Sequence, residues 1–159
     1  MVRRGHPAVL PARGVHADRV RLAVEIGDWS RFTGSSIGAF LGLVPTEHSS
    51  GGSRSQGSIT RTGNTHARRL LVEAAWQHRR PYRTPSAVLR SRWQLAPAAA
   101  RARGHAGNQR LHARWLAFTE RKKRPTIANV AVARELAGWC WSLATLDDGR
   151  RSPVTTNTA

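Results

Sequence analysis

The sequence predicts a mainly α fold: a helical domain with a short helix-turn-helix hairpin, a Ser/Gly/Arg loop and three longer helices. Three observations carry that expectation. Apolar residues recur at three-and-four spacing in the longer stretches, as one face of a helix requires. Alternating apolar–polar runs, which would mark half-buried strands, are nearly absent. Glycine and proline fall between the periodic stretches, where they stop helices.

Residues 1–16 contain Gly5, Pro7, Pro11 and Gly14 and have no period, so they are expected to be a disordered leader. Residues 18–26 (DRVRLAVEI) read as a short helix with Val20, Ala23 and Val24 on one side and Gly27 as its stop. Asp28 opens a turn, and Trp29 and Phe32 look like anchors. Residues 36–43 (SIGAFLGL) form a second short helix, ended by Gly42 and Pro45. The pair suits either a small hairpin on a DNA backbone or simply two packed helices.

Residues 47–64 (EHSSGGSRSQGSITRTGN) are crowded with serine, glycine and arginine and read as a loop, with a brief extended piece at Ser58-Ile59-Thr60. Asn64 or Thr65 can cap the helix that follows over residues 65–80, whose apolar face is Ala67, Leu70, Leu71, Ala74, Ala75 and His78. Pro81 and Pro85 break the chain, and residues 86–104 have only weak helical character. A long helix is expected over residues 108–123, with Leu111, Trp115 and Phe118 on one face. After Pro125, with Thr126 as the cap, the last helix is the most apolar. Its inward residues are expected to be Ile127, Val130, Ala131, Leu136, Trp139, Cys140 and Leu143. Residues 17–148 thus make one domain, and residues 149–159 a disordered tail.

Charge narrows the partners. Lys+Arg number 26 against 9 Asp+Glu, a formal net charge of +17. Such a surface seeks a polyanion, DNA or RNA before an anionic membrane. No apolar run approaches the roughly 18 residues that would span a bilayer. The one cysteine, Cys140, has no internal disulfide partner and suits a small buried hydrophobe. The start of the chain has no sustained apolar run, so a cytoplasmic location is expected.

For chemistry, the acids form no acidic set of the kind that holds catalytic magnesium, and no metal site is expected within the chain. The histidines lack metal spacing; His48, beside Ser49, suits either a general base or a polar loop residue. Serine fits better. A serine hydroxyl can attack a phosphodiester if glycine leaves the backbone open, arginine stabilises the developing charge, and a rigid element supports both. Ser49-Ser50-Gly51-Gly52, followed by Arg54, Arg61, Arg68 and Arg69 and a capped helix at Asn64, supplies these parts. The same composition also suits a solvated linker or a plain RNA-binding segment. Trp76, Trp115, Trp139 and Trp141 suit the core better than base stacking, and Arg121 to Arg124 suits a solvated, phosphate-attracting helix end.

The stretch EIGDWSRF, then IGAFLGLVPTEHSSGGSRSQGSITRTGNTHARRLLVEAAW, resembles the C-terminal transposase domain of the bacterial IS-one-ten insertion-sequence family. RLHARW and NVAVARELAGWCW resemble its downstream helices, so the likeness covers residues 18–148. The resemblance implies a serine-dependent, RNA-guided transposase whose N-terminal acidic domain binds magnesium. It implies a catalytic serine in a separate domain, and an active site formed between the two, across subunits. It carries the nucleophile to Ser50, with Ser49 as the alternative, and implies basic residues at Arg54, Arg61, Arg68 and Arg69. Their phosphate contacts, and that of Asn64, are expectations drawn from it; for Arg68 and Arg69 a solvated helix face fits as well. The expected partners are DNA of the insertion-sequence ends and target, a guide RNA, and further copies or an intact transposase subunit.

The sequence departs from that pattern. It lacks the acidic domain, its residues before 15 do not match, and Arg61 stands where the family often has lysine. The expectation is therefore a transposase truncated to its serine domain, binding nucleic acid but inactive alone, with magnesium coming from the acidic domain. The alternative is a non-catalytic basic DNA- or RNA-binding remnant.

Overall fold

In a computed structural model, described over residues 15–50, 53–83 and 87–146, the fold is mainly α. Six α-helices and one two-stranded antiparallel sheet follow in the order α1 (Val15–Ile26), α2 (Ser36–Phe40), β1 (Pro45–Ser50), β2 (Ser53–Ile59), α3 (Thr65–Ala75), α4 (Ala87–Gln94), α5 (Ala98–Glu120) and α6 (Pro125–Ala144). Short 3-10 turns sit at Trp29–Arg31 and Trp76–Arg79. The expected leader (apart from its last two residues, which open α1) and the tail lie outside the described residues.

The core is built on α6, which packs against α2, α3 and α5. Its inner face is Ala128, Asn129, Val132, Ala133, Leu136, Ala137, Cys140 and Leu143. The expected set was right for Leu136, Cys140 and Leu143 but wrong at the first turns: Ile127 is 53% exposed, and Val130 and Ala131 are half-buried. The helix is apolar nearly all round, so period alone does not choose its face, and the small alanines face inward, where close helix approach needs them. Gly107 of α5 shows that closeness: a Cβ there would stand 3.1 Å from the Trp139 ring.

α3 has the expected face. Ala67, Leu70, Leu71 and Ala75 are buried, and His78 is buried in the 3-10 turn beyond. Burial, then the charge of His112, pushes His78 down to about 4, so its imidazole is neutral. Among the described side chains of α1 the buried ones are Leu22 and Ile26, while Val24 is 74% exposed and Ala23 is exposed; that of the expected Val20 lies outside the described part. The expected face was turned too far, because a short helix with mixed polarity gives a weak phase. α5 begins ten residues before the expected start, and its Leu111 and Trp115 are buried.

The largest difference lies in the expected loop, which is a β-hairpin. Its pairs run Pro45↔Ile59, Glu47↔Gln56, His48↔Ser55, Ser49↔Arg54 and Ser50↔Ser53, with a register shift between Pro45 and Glu47. Backbone ladder bonds, not apolar alternation, make this sheet, so no period revealed it. The available clue was Gly51-Gly52 between two serine-flanked runs, a two-residue connection that suits a hairpin.

Candidate functional site

The root of the hairpin is tightly constrained in its backbone. Thr60 N–H donates to Val44 O at 2.9 Å, and Arg61 N–H to Gly42 O at 3.1 Å. Gly42 (φ +64°) and Gly63 (φ +76°) are left-handed, and both are pressed against backbone. A Cβ on Gly42 would overlap Thr62 O, and one on Gly63 would overlap Phe40 O. Arg61 is itself left-handed at φ +57°. Only glycine serves the first two positions, because side chains clash there.

Arg68 ties this root to α3. One guanidinium nitrogen donates to Leu41 O at 3.1 Å and to Thr62 O at 2.9 Å, and the other to Thr65 Oγ1 at 3.3 Å. Asn64 is the α3 cap: its Oδ1 accepts from Ala67 N–H at 2.9 Å, while its Nδ2 donates to Glu25 Oε2 at 2.8 Å. Glu25 also meets His66 Nδ1 at 2.9 Å. The Asn64 amide first, then His66, holds the Glu25 carboxyl below the usual carboxylate range. Arg69 is exposed, 3.7 Å from Glu73 one turn on.

Ser49, Ser50 and Arg54 lie in the ladder by their backbone, and their side chains fall outside the described part of the structure, as does that of His48. Ser50 ends β1, opposite Ser53. At ~3.3 Å per residue, that end stands about 16 Å from Pro45 at the root.

Beside the root opens a groove of about 1380 Å³ between α2, the base of the hairpin, α5 and α6. Arg61, Arg103, Arg114, Lys123 and Arg134 line it, with Glu135 the one acid among its described residues. Glu135 is occupied by Arg110 Nε at 3.0 Å and Arg114 Nε at 3.6 Å. The second distance is too long for a hydrogen bond, so that contact is one of charge. The Arg103 guanidinium lies over the Trp139 ring at 5.1 Å, its Nε donating to Ser142 Oγ at 2.6 Å; that of Arg114 lies over Phe118 at 5.0 Å. Exposed Ile127 and half-buried Val130 complete the apolar wall.

Of the expected phosphate contacts, Arg61 alone among the described side chains lines this groove. Arg68 and Asn64 direct their polar atoms into the fold. Sequence reasoning missed Arg103, Arg114 and Arg134. Arg103 and Arg114 stand eleven residues apart on α5, about three turns, which puts them on one face. Trp115 is buried, as the core reading expected, whereas Trp139 and Trp141 are half-buried on the groove.

Residues 19–89, from α1 through the hairpin into α4, match the family described as Transposase IS116/IS110/IS902. A Sinorhizobium fredii protein named as a transposase is 39% identical over 126 residues, 79% of this chain and 32% of that protein. These likenesses are all to proteins described as transposases. A second transposase-named protein of Sinorhizobium fredii is 29% identical over 75% of this chain and 25% of its own length. A family 20 transposase by name, of Pseudomonas aeruginosa, is 44% identical over 34% of this chain and 16% of its own length. The chain thus spans about a third or less of these transposases. No solved structure matches it.

The resemblance implies magnesium, and the residues here do not fit it: among those described, no three His, Cys, Asp or Glu side chains converge. Nor is any helix among them long and apolar enough to cross a membrane.

Proposed function

We propose that this chain supplies the serine-bearing part of an insertion-sequence transposase, with Ser50, or Ser49 beside it, as the nucleophile for DNA strand cleavage and exchange. The observation that supports this most is the hairpin. Ser50 ends the first strand of an arm whose root is fixed by Gly42, Gly63 and the Arg68 bonds. A stiff root and a distant serine suit delivery of a hydroxyl to an active site completed elsewhere in the assembly.

In this reading the serine Oγ attacks a phosphorus of the DNA backbone. The new O–P bond forms as the bond to the leaving sugar oxygen breaks; the serine proton is given up to a base, and the leaving oxygen takes up a proton to become a free DNA hydroxyl. The strand is then held as a phosphoserine ester, and a DNA hydroxyl reverses the attack to rejoin it. Arg54, opposite Ser49 in the ladder, is the cation nearest in register to counter the developing charge. Magnesium belongs, in this reading, to an acidic domain beyond the described residues or on another subunit. The substrates are the insertion-sequence ends and target, with a guide RNA and an oligomer or intact transposase subunit as partners. The location is cytoplasmic.

The test is a covalent adduct. The chain is mixed with a donor-junction DNA, guide RNA and magnesium, with and without an acidic transposase domain in trans, and run on a denaturing gel. A protein–DNA adduct that needs the added domain and disappears in Ser50→Ala is expected; one lost only in Ser49→Ala moves the role by one residue. Salt-sensitive binding without adduct, where an intact family member gives one, favours the second reading: a non-catalytic DNA- or RNA-binding remnant. The groove's five cations, set apart from the serines, support that reading.

A further inference from the structure

We infer that the groove between α2, the hairpin root, α5 and α6 holds a single-stranded nucleic acid segment, its bases against the Trp139–Phe118 wall and its phosphates on Arg61, Lys123 and Arg134. The inference takes from the transposase reading only the source of the strand; the geometry is its own.

Three features converge on a base-bearing polyanion. First, charge is one-sided. Glu135, the only acid among the described residues of the groove, is shared between Arg110 and Arg114, so its field is already answered. The side chains of Arg61, Lys123 and Arg134 make no hydrogen bond or ion pair with another described residue, which leaves them able to take phosphates. Second, the wall is apolar and aromatic. Arg103 lies over Trp139 and Arg114 over Phe118, and the exposed Arg103 guanidinium laid on its ring gives a flat layer of the kind on which bases stack. Third, Ile127 is 53% exposed here and Val130 half-buried beside it, an apolar strip that water covers poorly. A duplex would satisfy the cations but keep its base faces to itself. An acidic peptide would satisfy the cations without using the rings. An unpaired strand uses both.

The chain is titrated into a labelled oligo(dT) of about 15 nucleotides, and into the matching duplex, by fluorescence anisotropy at several salt concentrations. The strand is expected to bind roughly ten-fold tighter than the duplex. Replacing two phosphate contacts, with Lys123→Ala and Arg134→Ala together, should flatten the slope of log K against log salt by about 1.4. Trp139→Leu should weaken the strand roughly five-fold and leave the duplex unchanged. Because Trp139 also packs on Gly107, its fold is checked by circular dichroism; the exposed double variant carries the test if it fails. Equal or tighter binding of the duplex, an unchanged salt slope, or displacement of the strand by poly-glutamate as readily as by unlabelled oligo(dT) would each overturn the inference. Ser50→Ala must bind the strand as the parent does. A parent chain that forms no adduct but keeps the strand preference sinks only the serine reading, and one that forms the adduct without that preference sinks only the groove.

Discussion

In the core, α6 lays Ala128, Val132, Leu136 and Cys140 against three other helices, and every one of those side chains is almost wholly out of water. In the hairpin, β1 and β2 meet chiefly each other, and their sequences, PTEHSS and SRSQGSI, offer few apolar groups to bury. A lone two-stranded hairpin is marginal in water. This one is therefore anchored through its root, where backbone bonds, two left-handed glycines and one arginine replace a hydrophobic face. The core is specified by volume and the arm by backbone geometry, so the two should break under different substitutions.

Leu136→Ala is the heaviest blow. It opens a cavity under α6 and should lower global stability by roughly 3 to 4 kcal/mol in denaturant melts. If the core and arm are as distinct as they look, hydrogen exchange of the α6 amides should rise with it, while the ladder amides already exchange by local opening. Gly63→Ala should cost about 2 kcal/mol or more, since it adds a Cβ at φ +76° against Phe40 O. Its mark is loss of protection at Thr60 and Arg61, with α6 little changed. A melt as damaging as that of Leu136→Ala would mean that the root is part of the core. Arg68→Ala is the mildest, about 1 to 2 kcal/mol, because it frees the Leu41 and Thr62 carbonyls at a partly open site. It should loosen the same root amides, and if it instead weakens DNA binding with no change there, Arg68 is a phosphate contact after all.

The mainly α class was readable because α3 carries a clean phase, and Asn64 stood where a cap belongs. α6 was readable as a helix but not in its rotation, since its outer side is nearly as apolar as its inner one. That ambiguity hid the groove: Ile127 and Val130, expected inside, are its wall. The hairpin escaped because serines, glutamine and histidine carry no facial pattern, although a Gly-Gly pair between two such runs is a sequence signal for one. Arg68 illustrates the remaining gap. An arginine beside a Ser/Gly run reads as a phosphate ligand, and nothing local announces that its partners are carbonyls 27 and 6 residues away.

The chain's single cysteine is sealed within the core at Cys140. A thiol placed at exposed Ser58 of β2 would therefore be the one a mild maleimide reaches, and a dye there would ride on the arm alone. Distances from that dye to a labelled DNA end would follow the arm's approach to its substrate in real time, with no other residue needing to be changed.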